Sequence, residues 1–228
     1  MKKKILKSAL FAVAGIGLLA GSAMAITLPP LTGSYEWTSI DYWTVADLSD
    51  GEADFQLTWE NPGAVFESSF GIYALSTDGK AVGATHEIFA YSAEPTAAPG
   101  TSASVWFKMT DGSWKISDSE NGTYTEFGSI FGFYSDVYAN EDAIADFRWY
   151  SDTQFNSEQA KHFFIAYDKI NYGTEIYLED YPGGVNPVDL LVSSSDLIPA
   201  PEPAIMLLFG SGLAGLAAMA RRPRKSKT

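Results

Sequence analysis

Short runs of alternating apolar and polar residues recur through the middle of this 228-residue chain. Between Phe55 and Trp59, positions 55, 57 and 59 are apolar and those between them are polar, so an extended strand would carry all three on one face. Residues 26–198 show no sustained helical period with caps. Similar short runs occupy 65–75, 86–91, 102–109, 114–116, 123–127, 130–138, 147–150, 163–167, 174–178 and 188–192. The pattern predicts about ten strands.

Turn signals separate these runs. The pairs Asp78-Gly79, Asp111-Gly112 and Asn121-Gly122 stand between β-branched and aromatic stretches, which is the strongest short-range signal of a β-hairpin. Residues 139–146 or 156–162 could form a short helix. We therefore predict a mainly β domain over 26–193: an antiparallel, jelly-roll-like β-sandwich with at most one or two short helices.

The N-terminal segment 1–25 is predicted to be a signal peptide. Four lysines within the first seven residues form its charged start, and residues 5–20 form its apolar centre. Ala23 and Ala25 then mark an A-x-A cleavage site, so the mature chain would begin near Ile26. This interpretation predicts an exported protein. An uncleaved N-terminal anchor is the alternative.

The C-terminal segment combines three features in a definite order. A Pro-rich linker over 194–203 leads into an uncharged apolar run over 204–220, and a basic tail over 221–228 ends the sequence. At about 17 residues, the run is at the short end of what spans a bilayer. Basic flanking residues favour the cytoplasmic side of a membrane. We therefore predict a single transmembrane helix with a cytoplasmic tail.

This tripartite end resembles the PEP-CTERM sorting signal of Gram-negative bacteria, which a membrane transpeptidase called exosortase processes. The resemblance implies that Pro201, Glu202 and Pro203 are the recognition motif and that Arg221 and Arg222 are the basic stop. It also implies a precursor anchored in the inner membrane, with exosortase as its partner during sorting, and a product at the cell surface or outside the cell. A plain tail anchor is the alternative.

Removal of both terminal signals changes the charge of the chain. Residues 26–200 contain six basic and 27 acidic residues, a net charge of −21. Such a surface repels nucleic acid and anionic lipid headgroups, and it favours divalent cations. The chain has no cysteine, which excludes disulfides, thiolate catalysis and Cys-based zinc sites. An aromatic content of 14% is consistent with a core built largely from rings.

Five segments, in order, resemble an uncharacterised β-rich domain of secreted bacterial proteins that often precedes this sorting signal. Two of them echo each other: 70–73 reads Phe-Gly-Ile-Tyr and 131–134 reads Phe-Gly-Phe-Tyr. The others are 149–152, 162–167 and 177–192, so the resemblance spans 66–193. The resemblance implies an acidic, Gly-rich turn near the end of the domain that favours a cation.

That turn departs from the family pattern in this chain. Val185 and Pro187 stand where acidic or aromatic residues are usual. Four side chains with hard oxygen ligands remain: Glu179, Asp180, Asn186 and Asp189. Calcium takes six to eight oxygens, so these side chains with backbone carbonyls could supply a weak calcium site. A plain polar hairpin is the alternative.

The sequence contains no G-x-S-x-G, H-E-x-x-H or P-loop motif. His86 and His162 are far apart in sequence, and we predict that they pack rather than act as bases. The many carboxylates allow a glycosidase-like acid pair by chance. A solvated acidic loop is predicted for Asp136, Glu141, Asp142 and Asp146.

The tryptophans raise a second class of function, because exposed rings on a β-sandwich can stack on sugars. The residues concerned are Trp37, Trp43, Trp106, Trp114 and Trp149, and core packing is the alternative role for each. We expect a non-enzymatic, exported surface or matrix protein associated with exopolysaccharide or biofilm. The alternatives are a carbohydrate-binding module with an aromatic platform and a secreted glycoside hydrolase.

Overall fold

The computed structural model describes residues 30–46, 51–60, 67–76, 80–90, 100–138, 145–157, 160–179 and 188–200. Within these ranges the first eight strands are β1 Tyr35–Thr38, β2 Trp43–Val45, β3 Glu52–Glu60, β4 Glu67–Ser68, β5 Phe70–Leu75, β6 Val82–Phe89, β7 Ser102–Thr110 and β8 Ser113–Ser117. The remaining strands are β9 Thr125–Glu126, β10 Phe131–Tyr138, β11 Phe147–Tyr150, β12 Phe163–Asp168, β13 Gly173–Leu178, β14 Leu190–Ser194 and β15 Leu197–Pro199.

The strands form two antiparallel sheets. The first has eight strands in the order β1-β12-β13-β14-β3-β7-β8-β9. The second has seven strands, with a central path β15-β2-β10-β5-β6, and β4 and β11 both pair with β10. Each recorded strand pair is antiparallel. The prediction of a mainly β, antiparallel domain is therefore confirmed.

One aromatic core joins the inner faces of the two sheets. Phe107 of the first sheet stacks on Phe131 of the second, with ring centroids 5.3 Å apart. The rings of Phe55 and Phe70 make a similar contact at 6.1 Å. Offset and edge-on ring contacts add to the stabilisation that comes from burying apolar area. Face-to-face packing of this kind agrees with a sandwich, and the finer jelly-roll description stays a prediction.

The Asp111-Gly112 pair forms the two-residue turn between β7 and β8. Its φ angles are 55° and 80°, and Thr110 pairs with Ser113 across it. Two positive φ values are required by a type I′ hairpin turn, and the Asp-Gly sequence accepts them. Asn121-Gly122 lies instead in the longer connection from β8 to β9, and Asp78-Gly79 lies outside the described residues.

Three short strands had no expected counterpart in the sequence pattern: β1, β2 and β15. The last of these lies within 194–203, the range interpreted as a linker. Leu197 is fully buried and pairs with Val45, and the Ala200 N–H donates to the Tyr42 carbonyl at 2.9 Å. The folded domain therefore continues to residue 200. The sequence pattern did not predict β15, because a run of three residues is too short to show alternation.

Helical structure in the described ranges is limited to a 3-10 turn over Thr153–Phe155. The Asp152 carboxylate caps it by accepting from the Gln154 N–H at 2.9 Å. Of the predicted helices, residues 139–144 and 158–159 lie outside the described ranges, and 160–162 are not helical. The described ranges contain no helix long and apolar enough to cross a membrane. The predicted signal peptide and the predicted span over 204–220 lie outside them.

Candidate functional site

One continuous row of residues crosses six strands of the eight-stranded sheet. Each member of the row is the register partner of the next. Five steps between neighbouring strands give the row a length of about 24 Å. We call it the transverse row. From β1 to β7, its members are Trp37, Ala166, Glu175, Ser193, Gln56 and Ser102.

The transverse row lies on the face of the sheet that points away from the core. Its neighbours along the strands, such as Ile165, Ile176 and Phe55, are buried in the shared core. Side chains alternate between the two faces of a strand, so the row members are directed outward. Within the row, Trp37, Gln56 and Ser102 are exposed, Glu175 and Ser193 are half-buried, and Ala166 is buried.

Trp37 is the aromatic end of the row, and its side chain is 38% exposed. Its partner across the strand pair is Ala166, whose small side chain allows the indole to reach the next strand. There the Trp37 ring contacts Tyr177, with centroids 5.1 Å apart and planes tilted by 58°. The indole is therefore held from one side.

The carboxylate of Glu175 lies beside this ring pair and has a defined orientation. It accepts a hydrogen bond from Tyr177 Oη at 2.6 Å. Burial raises the pKa of Tyr177, and this hydrogen bond to Glu175 raises it further. Tyr177 therefore stays protonated at neutral pH and acts as the donor. Glu175 is held as an acceptor next to an exposed indole.

Hydroxyl and amide groups continue the row. Ser193 Oγ lies 2.9 Å from Thr58 Oγ1, and Gln56 is the register partner of Ser193 on β3. An apolar border runs alongside on the same face. It consists of the successive register partners Phe164, Tyr177 and Leu191. The surface thus combines one aromatic end, one apolar edge and a line of polar groups.

The five tryptophans singled out in the sequence have different environments. Trp43 is fully buried in the shared core, and Trp149 is also part of it. Trp106 and Trp114 are half-buried. Among these five, Trp37 alone is exposed. Sequence reasoning did not single out Tyr177, Glu175, Ser193 or Gln56. Alternation along β13, β14 and β3 indicates which face of its own strand each residue occupies, but not which residues of different strands are neighbours.

The two Phe-Gly-x-Tyr segments pair with each other in the second sheet. Gly132 is the register partner of Tyr73, and a Cβ added at Gly132 would lie 2.6 Å from the Tyr73 ring. A Cβ added at Gly71 would lie 2.6 Å from the Tyr134 ring. Each glycine therefore leaves room for the tyrosine of the other segment, and Gly71 also leaves room for the His86 carbonyl oxygen, which would lie 2.5 Å from an added Cβ.

The prediction that Asp136 belongs to a solvated loop is wrong. It is buried in β10, and its carboxylate accepts two hydrogen bonds from Arg148, at 2.5 Å each. The Arg148 guanidinium lies 4.4 Å from the centre of the Tyr134 ring. Burial, and then the charge of Asp136, raise the pKa of Glu87. Glu141 and Asp142 lie outside the described residues.

Both histidines have structural contacts. The ring of His162 is buried and stacks on Trp149, with centroids 3.7 Å apart, and its Nδ1 lies 2.9 Å from the Glu179 carbonyl oxygen. His86 Nε2 lies 2.8 Å from an Asp118 carboxylate oxygen, in the loop after β8.

Two of the four predicted calcium ligands are described. Glu179 and Asp189 are buried on either side of the segment 180–187. Backbone hydrogen bonds hold both of them, from Glu179 N–H to the His162 carbonyl and from Asp189 N–H to the Leu178 carbonyl. No group of three or more metal-binding side chains occurs among the described residues. Asp180 and Asn186 lie outside them, so the calcium site stays a prediction.

The comparisons with known proteins concern the C-terminal end. The family model described as the PEP-CTERM protein-sorting motif matches residues 199–225. No curated protein and no solved structure matches the chain. The match confirms the predicted sorting motif, and it marks the chain as an exported protein that an exosortase recognises. The individual roles of Pro201, Glu202, Pro203, Arg221 and Arg222 stay predictions, as does cleavage after Ala25.

Proposed function

We propose that this chain is a non-enzymatic surface or matrix protein that exosortase delivers to exopolysaccharide. The observation that carries the proposal is the sorting motif over 199–225. Sorting places the folded domain outside the cytoplasm, where its net charge of −21 keeps it soluble and away from anionic polymers.

The folded domain and the sorting signal are directly connected in the chain, which supports this proposal. Ala200 is buried, and its N–H is bonded to Tyr42, immediately before Pro201. The described fold therefore reaches the residue before Pro201 and occupies the range 194–200, which the sequence had assigned to a linker. On this proposal, the sheets remain next to the point of attachment after sorting.

The processing step can be tested by intact-mass measurement of the protein from producing cells. We expect a mature species that begins near Ile26 and ends near Pro201–Pro203. Glu202→Ala should leave the C-terminal segment attached, whereas Glu120→Ala, at an exposed site in the domain, should be processed normally. A species that keeps both Met1 and Thr228 in a host with exosortase would contradict the proposal.

The association with polysaccharide is tested by fractionation. The mature protein should be recovered with the extracellular polysaccharide fraction, and polysaccharide-degrading enzymes should release it. Recovery of the same amount in a mutant host that makes no exopolysaccharide would show that polysaccharide does not retain it.

A secreted glycoside hydrolase is the second candidate, and one pair of carboxylates favours it. Glycosidases use one carboxyl group of raised pKa and a second that stays ionised. Burial and then the charge of Asp136 raise the pKa of Glu87, so these two carboxyl groups lie close enough to interact. Release of reducing ends from a polysaccharide by the wild type, abolished in Glu87→Gln, would establish the hydrolase. We expect no turnover.

A further inference from the structure

We propose that the transverse row is a binding site for a neutral polysaccharide chain, which lies across the strands with one sugar ring on Trp37. This inference rests on the proposed function and names the surface and the ligand class. The row is the longest line of outward-directed residues in the described strand register. Ala166 is buried, and the accessible members change from the aromatic Trp37 to polar residues along the row.

The shape of the site suits a polymer rather than a single sugar. The row extends for about 24 Å, the width of six strands. Its central members are separated by one strand spacing each, so hydrogen-bonding groups recur at about 4.8 Å. A linear chain with hydroxyl groups at short, regular intervals can meet several of them at once. Each single contact can then be weak.

The chemistry of the row matches an uncharged sugar. An exposed indole offers a flat apolar face, and apolar bodies with a few well-placed polar groups are typical of ligand sites. The carboxylate of Glu175 is held by Tyr177 Oη at 2.6 Å and accepts hydrogen bonds from hydroxyl donors. Ser193 and Thr58 present hydroxyl groups at the middle of the row. These groups both donate and accept, as sugar hydroxyls do.

Charge excludes the polyanions. The row contains one acidic residue and no lysine or arginine. Residues 26–200 carry a net charge of −21, which repels a polyuronate, a sulfated glycan or a nucleic acid. A protein partner is disfavoured by the centre of the row, which consists of polar groups rather than the apolar core typical of stable protein interfaces. A neutral polysaccharide is the occupant that remains.

The test is native affinity electrophoresis of the full-length gene product in its processed form. Gels would contain dextran, galactomannan or a mixed-linkage β-glucan as neutral probes, and alginate as the anionic probe. We expect at least one neutral probe to retard the wild type and alginate to have no effect. Trp37→Ala should weaken the retarding interaction by about tenfold, because aromatic anchors dominate such interfaces. Gln56→Ala, four strands away, should weaken it by about twofold to fivefold.

The matched control is Phe147→Ala, which removes a ring that is 47% exposed on the other sheet. It should bind like the wild type. Unchanged thermal melting of all variants shows that they are folded. Wild-type retardation that persists in both Trp37→Ala and Gln56→Ala would overturn the site but leave polysaccharide association intact. Retardation by alginate alone, or by no probe, would also overturn it, and the fractionation experiment judges the proposed function separately.

Discussion

Gly71 and Gly132 show how single residues shape the second sheet. Glycine in a strand interior normally weakens it, yet here the missing side chains accommodate two buried tyrosine rings. Tyr73 is fully buried and makes edge-on contacts with Tyr150 and Phe155, at 5.1 and 5.8 Å between centroids. The outer face of this sheet is therefore covered by rings that depend on the absence of a Cβ beneath them.

Replacement of Gly132 tests this arrangement. Gly132→Ala should lower the free energy of unfolding by about 1–3 kcal/mol, because the new methyl group overlaps the Tyr73 ring. In a Tyr73→Val background, the same substitution should be nearly neutral, because the ring is gone. Urea unfolding of the four proteins in this double-mutant cycle measures the coupling. An equal cost in both backgrounds would show that the backbone, not the ring, requires glycine.

At the scale of elements, the turn between β12 and β13 depends on Asp168. Its carboxylate accepts from Ser34 Oγ and Asn171 Nδ2, at 2.7 Å each, and from the Ile170 N–H at 2.8 Å. These hydrogen bonds lower the pKa of Asp168 to about 2, with the Ser34 contact as the largest cause. One carboxylate thus joins the hairpin loop to the start of β1.

The pH dependence follows from the sign of this shift. An unfolded aspartate has a pKa of about 4, so ionised Asp168 stabilises the fold above that pH. The contribution is lost as the pH falls through about 2. Asp168→Asn should therefore melt at a lower temperature than the wild type at pH 7, and the difference should vanish near pH 2. In Ser34→Ala, NMR titration should find the Asp168 pKa raised. An unchanged pKa would remove Ser34 from this account.

The last strand, β15, makes a second element-scale prediction. Leu197 is fully buried between the sheets, whereas Ile198, the next residue, is half-buried. Leu197→Ala should cost about 2–5 kcal/mol of unfolding free energy, as is usual for a filled core position. Ile198→Ala should cost less than half as much. Equal, small costs in urea unfolding would mean that β15 is dispensable to the domain.

At the scale of the whole molecule, charge and cations act on stability together. A net charge of −21 over 26–200 makes the folded state repel itself, so salt should raise the melting temperature without any site. The calcium prediction requires more: a shift larger with calcium than with magnesium at matched ionic strength, because calcium accepts irregular oxygen cages. That excess should disappear in Asp180→Ala and Asp189→Ala. Equal shifts from both ions would reduce the effect to screening.

Much of the architecture could be read from the order of side chains. Alternation predicted most of the longer strands, and Asp111-Gly112 predicted its own hairpin because only a few residue pairs accept two positive φ angles. The short strands β1, β2 and β15 could not be read in this way, since three or four residues contain too little periodicity. Their positions depend on partners distant in sequence, such as Val45 for Leu197.

By itself, the sequence determined the C-terminal sorting signal, the fold class, the acidic charge and the absence of cysteine. Each depends on the composition or on the local order of residues, and both are given directly by the sequence. Tertiary structure alone decided which tryptophan faces solvent, which glycine lies under which tyrosine, and that residues 37, 166, 175, 193, 56 and 102 form one row. The physical reason is strand register: it joins residues far apart in the chain through backbone hydrogen bonds, and those bonds are the same for every side chain.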